Sequence, residues 1–193
     1  FSSGLLNAEG RDVVVIGGGD TAMDCVRTAI RQKANSVTCL YRRDRANMPG
    51  SQREVANAEE EGVDFRWLSA PQAFLGDNHV RAVQAQKIHL GQPDATGRQV
   101  PQIIEDSSHE IPADLVIKAL GFDPEDIPTM FGAPELEVSK WGTIGVDWRT
   151  MMTNLPGVFA AGDIVRGASL VVWGVRDGRD AAESIHSYIM AQS

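Results

Sequence analysis

The chain of 193 residues is long enough for one large domain or two small ones, and its 42% hydrophobic and 23% charged residues are typical of an ordinary globular protein. A formal net charge of -8 argues against a general nucleic-acid or anionic-membrane binder, and two cysteines are too few for a disulfide framework, a four-cysteine zinc site or an iron–sulfur cluster. Because no run of about 18 apolar residues and no signal peptide are recognisable, we expect no membrane helix and a cytoplasmic location.

A strand, a helix and a second strand are predicted near the start of the chain. Arg11–Gly17 is a continuous apolar run, which is typical of a parallel strand covered on both faces. The spacing of the apolar residues predicts a helix over Asp20–Lys33, and Ser36–Tyr41 is a second β-rich run. Since these elements follow one another within about 30 residues, they predict a βαβ unit.

The next part of the chain combines a helix with further strands. Ser51–Glu54 matches a capping box, so a helix is expected to begin there and to end at Gly62. Four more strands are predicted, the second and third of them antiparallel and joined by a turn-rich loop: Val63–Leu68, His79–Leu90, Val100–Glu105 and Ala113–Gly121.

The composition changes after Gly121, where a proline- and acid-rich loop indicates a domain boundary. We therefore expect one domain over residues 1–122 and a second segment over residues 123–193. In that segment, Pro156–Asp163 is predicted as a short apolar strand, and a long helix is expected to begin near Ala168. An apolar or small stripe follows the helix: Val171, Gly174, Val175, Gly178, Ala182, Ile185 and Ile189.

The glycines that follow the first strand carry the first chemical signal. Gly17, Gly19 and Ala22 form a G-x-G-x-x-A pattern between a predicted strand and a predicted helix. In this pattern the first glycine permits the tight turn, the second lets the backbone approach a pyrophosphate, and the third small residue keeps the helix close to the sheet. The sequence thus predicts a dinucleotide-binding loop, formed by Gly17, Gly18, Gly19, Asp20, Thr21 and Ala22.

Two alternatives stay open for this loop. A glycine-rich turn without a ligand would show the same pattern. Asp20 could contact the nicotinamide side of a dinucleotide, or it could simply cap the helix.

A pair of arginines indicates which dinucleotide is bound. An NAD site expects an acidic residue at the end of the second strand, whereas this sequence has Arg42 and Arg43 there. Guanidinium groups suit a ribose 2′-phosphate through bidentate, charge-assisted hydrogen bonds, so the prediction is NADPH. The alternative is a solvated basic loop in which the arginines pair with Asp44.

A second motif lies in Thr153–Asp163, which resembles the second flavin-contacting motif of flavoproteins with two dinucleotide domains. The resemblance implies that Asp163 hydrogen-bonds the ribityl chain of FAD. It also implies that the following helix points its positive N-terminus at the flavin pyrimidine, where negative charge gathers on reduction. The cofactor-binding residues expected beyond the first loop and the two arginines are Gly121, Gly162, Asp163, Ser169, Leu170 and Val171.

Longer stretches of the chain resemble the small (β) subunit family of NADPH-dependent glutamate synthase, which is similar to adrenodoxin reductase and to the flavin domain of dihydropyrimidine dehydrogenase. Four stretches carry the resemblance: Val13–Thr28, Tyr41–Ser51, Ala113–Phe122 and Gly157–Trp173. It implies an α/β fold in which a Rossmann-like NADPH domain, with a parallel sheet and an antiparallel insert, is joined to the C-terminal part of an FAD domain. It further implies that NADPH reduces FAD and that iron–sulfur clusters pass the electrons to a glutamate synthase large subunit.

The sequence also departs from that family. The cysteine-rich iron–sulfur region and the first G-x-G-x-x-G motif, which holds the ADP half of FAD, do not occur in these residues. We therefore expect this segment alone to hold FAD weakly and to be inactive. No C-x-x-C is present, which disfavours disulfide exchange of the thioredoxin reductase kind.

Other functions remain open at this stage. The chain could belong to another NADPH-linked complex that serves ferredoxin, formate or pyrimidine chemistry, or it could be a non-catalytic nucleotide-binding module. We expect no metal site, because the histidines show no ligand spacing, and we expect Cys25 and Cys39 to be buried structural residues. No catalytic acid or base is predicted, since hydride transfer depends on the placement of the two cofactor rings.

Overall fold

The computed structural model describes residues 6–93 and 99–192, so most of the predicted turn-rich loop lies outside the described residues. The chain divides into two compact units between Leu120 and Gly121. In chain order the elements of the first unit are β1 (Asp12–Ile16), α1 (Asp20–Arg31), β2 (Ser36–Leu40), a 3₁₀ turn (Arg45–Asn47), α2 (Gln52–Glu60), β3 (Asp64–Arg66), β4 (Ser69–Leu75), β5 (Ala82–Pro93), β6 (Gln99–Ile103), β7 (His109–Pro112) and β8 (Leu115–Lys118). Those of the second unit are α3 (Ile127–Met130), α4 (Asp163–Arg166) and α5 (Val171–Gln192).

A parallel sheet in the order β3-β2-β1-β8 forms the centre of the first unit. Both faces of β1 are buried. One face contributes Val13 and Val15 to a cluster with residues of α1, and the other contributes Val14 and Ile16 to a cluster with Val83 of β5. This double burial explains the uninterrupted apolar run of β1 and confirms the predicted βαβ unit.

An antiparallel sheet covers the second face of the parallel sheet. Its longest strand, β5, pairs with β4, β6 and β7, so the two antiparallel strands predicted from alternation are confirmed. The sequence did not predict β4 or β7. In β4 the alternation is broken by Pro71, which lacks an N–H donor and adjoins a register shift between Pro71 and Ala73. With only four residues, β7 is too short to show a period.

The predicted capping box at the start of α2 does not form. Ser51 is the N-cap residue, but its side chain makes no capping hydrogen bond. In a capping box, Glu54 would accept the N–H of Ser51. Here Asp20 Oδ1 accepts this N–H at 3.1 Å, and Glu54 pairs with Arg27 of α1 instead. The predicted end of the helix is confirmed, because Gly62 has a φ of 99° just after the last turn.

The second unit has little regular structure. The strand predicted over Pro156–Asp163 is wrong: within the described residues, Phe159 forms only an isolated bridge with Met152. Gly157 and Gly162, both with a φ of 79°, interrupt the extended conformation that a strand requires. A small core forms around Leu136, Ile144 and Val165. No helix in the described residues is long and apolar enough to cross a membrane.

Helix α5 begins at Val171 rather than near Ala168, and its apolar stripe is exposed rather than buried. Val171 is 79% exposed and Val175 is 61% exposed. The buried residues of this helix are Asp177 and Ala181 instead. The helix therefore turns a charged residue toward the interior of the second unit.

We predict that Gly17→Ala destabilises the first unit by about 1–3 kcal/mol more than Gly62→Ala does. Both glycines have a positive φ, so both alanines are strained. A Cβ at Gly17 would lie 2.2 Å from the carbonyl oxygen of Ala119, whereas a Cβ at Gly62 would meet nothing within 4 Å. Urea unfolding followed by circular dichroism measures the free energy of unfolding of both variants. Equal losses of stability would contradict the steric conflict between a side chain at Gly17 and the Ala119 carbonyl.

Candidate cofactor sites

The loop after β1 is shaped by contacts with the neighbouring strands. Gly17 has a φ of 143° and donates its N–H to the carbonyl of Leu40 at 3.2 Å. A Cβ at Gly17 would collide with the backbone of Ala119, and a Cβ at Gly18 would lie 2.4 Å from the ring of Tyr41. Packing alone thus requires a glycine at positions 17 and 18.

Gly19 has a different role, because packing does not require it. It is the N-cap of α1 in an extended conformation, and a Cβ there would meet nothing within 4 Å. Ala22 and Met23 donate their N–H groups to the Gly19 carbonyl, but the N–H groups of Gly19, Asp20 and Thr21 have no acceptor among the described residues. Free donors at the positive end of a 12-residue helix favour an anion, so this open loop fits a pyrophosphate.

A second loop, just before α2, supports the glycine loop. Gly50 donates its N–H to the carbonyl of Gly18 at 2.9 Å, and the Ser51 N–H donates to Asp20 Oδ1. Asp20 therefore makes no capping hydrogen bond in its own helix, contrary to one of the two roles expected for it. Sequence reasoning missed this support, for which the turn sequence Pro49-Gly50 was the available signal.

The two arginines after β2 have no carboxylate partner in the described part of the chain. Arg42 is exposed, and the half-buried Arg43 has a buried Nε without a hydrogen-bond partner there. Asp44 instead accepts from the N–H and the side-chain amide of Asn47, at 2.9 and 2.8 Å. The alternative in which Asp44 neutralises the arginines is therefore not observed, and both guanidinium groups are available to an anion.

In the second unit, two of the predicted flavin-contacting residues lie at the start of a single turn of helix. Gly162, with a φ of 79°, precedes α4, and Asp163 is its first residue and exposed. Asp163 lines a largely apolar cavity of about 810 Å³, whose walls include Phe131 and Phe159. Two small residues beside Asp163 also line it: Gly167 and Ala168.

The structure does not bring every predicted residue of this unit to that cavity. Ser169, Leu170 and Val171 form the exposed entry to α5, where the Trp173 N–H bonds to the Leu170 carbonyl at 2.9 Å. Gly121 is the first residue of the second unit, with a φ of 87°, and lies outside the cavity walls.

The two cysteines are free thiols, and Cys39 is buried as expected, whereas Cys25 is only half-buried. Burial raises the pKa of the Cys39 thiol to about 12. The pKa of Cys25 is also raised, first by burial and then by the charge of Asp24. Among the described residues, no cluster of three or more His, Cys, Asp or Glu side chains could hold a metal ion.

Comparison with known proteins places the whole arrangement in one family. The model of the pyridine nucleotide-disulphide oxidoreductases matches residues 2–181. The chain belongs to this family. The predicted α/β fold with a parallel sheet and an antiparallel insert is confirmed.

The relatives of this oxidoreductase chain confirm the resemblance drawn from its motifs. It is 69% identical over its whole length to the glutamate synthase [NADPH] small chain of Azospirillum brasilense, of which it covers 40%. Over 95% of its length it is 70% identical to a putative glutamate synthase [NADPH] small chain of Cereibacter sphaeroides, of which it covers 45%. The chain thus spans less than half the length of these curated relatives.

A solved structure shows the same architecture. The thioredoxin reductase of Lactococcus lactis is 25% identical and superposes with a TM-score of 0.75, over 95% of this chain and 54% of that one. The chain described here has no C-x-x-C, and its Cys39 is buried while Cys25 is half-buried.

We predict that Gly19→Val weakens dinucleotide binding at least about 10-fold while the fold is kept. The extended backbone at Gly19 suits a β-branched residue, but the side chain would occupy the open space beside the free N–H groups. Isothermal titration with NADPH as the probe measures the loss, and circular dichroism checks the fold. Unchanged affinity in a folded variant would place the phosphate loop elsewhere.

A second prediction concerns the thiols. Cys39 should resist alkylation by iodoacetamide at pH 8 until the chain unfolds, because its side chain is inaccessible and its pKa is about 12. The half-buried Cys25 should be alkylated faster than Cys39. Mass spectrometry of the folded and the urea-unfolded chain measures both rates, and equally rapid labelling of both thiols before unfolding would contradict the burial.

Proposed function

We propose that this chain is the nucleotide-binding part of an NADPH-dependent flavin oxidoreductase of the glutamate synthase small-chain type. Residues 1–122 then form the NADPH domain, and residues 123–193 form the closing segment of an FAD domain. One observation carries the proposal: the donor-rich loop at Gly19 follows β1, and Arg42 and Arg43, which have no carboxylate partner in the described residues, follow the neighbouring parallel strand β2. The names of both curated relatives support it.

NADPH would be held by the first unit through two anion contacts. The free N–H groups of Gly19, Asp20 and Thr21 would bind the pyrophosphate, assisted by the dipole of α1. Arg42 and Arg43 would bind the 2′-phosphate, and the buried, unpartnered Nε of Arg43 would gain an acceptor. The carboxylate of Asp20 is turned to the Ser51 N–H, which ties the loop to α2.

The second unit would supply part of the FAD site. FAD, when bound, accepts a hydride from NADPH. Asp163 would accept a hydrogen bond from the ribityl chain, and the apolar cavity it lines would exclude water from the neighbouring part of the cofactor. Gly162, Ser169, Leu170 and Val171 would offer backbone groups at the two helix starts, and Gly121 would lie where the chain passes from one unit to the other.

The partner is proposed on the same grounds. Electrons would leave the flavin through iron–sulfur clusters toward a glutamate synthase large subunit, as the term small chain in the relatives' names suggests. The alternatives are an electron-input subunit for another acceptor and a non-catalytic nucleotide module. The cytoplasmic location stays a prediction.

Anaerobic titration of the full-length protein tests this function. Addition of NADPH should bleach the flavin absorbance, and addition of the large subunit together with its substrates should restore it as glutamate forms. Bleaching without reoxidation by that subunit would favour another acceptor. Binding of NADPH to a protein without flavin would favour the nucleotide module.

We predict that the chain prefers NADPH to NADH and that Arg42→Ala with Arg43→Ala removes the preference. A lost charge-assisted phosphate contact costs about 1.5–3 kcal/mol, which corresponds to roughly one to two decades in affinity. The affinity for NADH, which lacks the phosphate, should change little. Dissociation constants from titration calorimetry of both nucleotides measure the effect.

Arg81→Ala is the matched control for this double variant. Arg81 is also an exposed arginine of the first unit, but its guanidinium pairs with Glu110 at 2.9 Å. Its loss should leave both affinities unchanged. Equal affinity of the unsubstituted chain for NADPH and NADH would refute the role of Arg42 and Arg43.

A further inference from the structure

A buried carboxylate in α5 forms the most closely held ion pair of the second unit. Arg166 donates from Nε to Asp177 Oδ2 at 2.5 Å and from Nη2 to Oδ1 at 2.7 Å. The Asp177 side chain is only 1% exposed, against 27% for that of Arg166. A buried charge is tolerated only with such a partner, so the geometry of the two residues is coupled.

Two tryptophans hold the guanidinium in place. The Cζ atom of Arg166 lies 4.8 Å from the ring centroid of Trp148 and 5.0 Å from that of Trp173. Both distances fall within the range of cation–π attraction. Arg166 is thus restrained by a carboxylate and by two aromatic rings, which leaves its side chain few alternative positions.

The ion pair is tied to the start of α4 through the backbone of its last residue. Arg166 ends the helix, and Gly162 is the residue before it. Inside the turn, Val165 and Arg166 donate their N–H groups to the Gly162 carbonyl at 3.0 Å. Asp177 therefore restrains the segment 162–166 through Arg166, and the exposed carboxylate of that segment is Asp163.

Asp177 remains ionised in this setting. The hydrogen bond from Arg166 holds the pKa of the Asp177 carboxyl below its usual range, against the opposing effect of burial. Arg176 and Asp180, the other charged groups near the pair, contact each other at 3.6 Å. The negative charge that holds Arg166 is thus maintained at neutral pH.

We propose that Asp177 and Arg166 are positioning residues for the flavin, which set the orientation of the Gly162–Asp163 turn without contacting the cofactor. The inference rests on the proposed function, because it assumes that Asp163 binds FAD. It adds two residues that lie outside the predicted flavin-contacting motif Thr153–Asp163. Shortening or neutralising either partner should release the turn and weaken FAD retention, whereas NADPH binding in the first unit should not change.

The test uses two variants of the full-length protein. Asp177→Asn keeps the shape of the side chain but removes its charge. Arg166→Lys keeps the charge but removes the bidentate contact. Asp180→Asn is the matched control, because it makes the same chemical change at an exposed position of the same helix. Asp163→Ala serves as the reference for a lost flavin contact. Flavin fluorescence gives the FAD dissociation constant, and near-ultraviolet circular dichroism reports the packing of the tryptophans.

We expect the FAD dissociation constant to rise at least about 10-fold in Asp177→Asn and less in Arg166→Lys, with the tryptophan signal, the NADPH affinity and the Asp180→Asn control unchanged. FAD affinities within a factor of about two in both variants would overturn the inference. So would losses that occur only together with loss of the tryptophan signal, since the pair would then merely support the fold.

The outcomes also separate this inference from the proposed function. If the unsubstituted full-length protein holds no FAD, or if Asp163→Ala retains it fully, the proposed flavin site is wrong and the inference fails with it. If Asp163→Ala loses FAD while both pair variants keep it, only the positioning role of Asp177 and Arg166 is refuted.

Discussion

The close approach of two backbone segments at the carboxyl edge of the parallel sheet is the constraint on which the first unit depends. The carbonyl of Ala119 occupies the space in which a side chain at Gly17 would begin. Only a glycine lets β1 end directly beside β8 and turn at once into α1. Because parallel strands end at one edge, this turn places the N-terminus of α1 near the loop that follows β2.

The distribution of ion pairs separates the supporting arginines from those available to a ligand. Arg27 is engaged by Glu54 and Glu61, which joins α1 to α2, and Arg45 is engaged by Glu59. Arg42 and Arg43 have no such partner in the described residues. These guanidinium groups and the N-terminus of α1 follow neighbouring parallel strands, so they add positive potential to one edge of the sheet in a chain of net charge -8.

In the second unit, the shape of a short segment depends on a buried charge. Its short helix α4 has few internal hydrogen bonds and depends on neighbours for its shape. Asp177 supplies that support from α5 at the cost of burying a carboxylate, which Arg166 offsets. The tryptophans at positions 148 and 173 belong to the same arrangement, since they face the guanidinium rather than an apolar core.

Much of the fold and of the candidate site was predictable because it follows from local patterns. The apolar run of β1, the helical spacing of α1 and the glycines between them are periodic or contiguous in the sequence, and the structure has the corresponding elements within a few residues. The loop donors at Gly19 and the arginines after β2 lie where such a βαβ unit places them.

The partners of individual polar groups were decided only by the tertiary structure. Ser51 and Glu54 match a capping box, yet each bonds to a residue of α1 instead: the Ser51 N–H to Asp20, and the Glu54 carboxylate to Arg27. Asp177 stands between residues of an apolar stripe, yet it is buried while the stripe is exposed, because Arg166 satisfies its charge with two hydrogen bonds. The period of the apolar residues determined most strands and helices of the first unit. A hydrogen bond, however, forms between groups about 3 Å apart, and only folding brings distant groups that close.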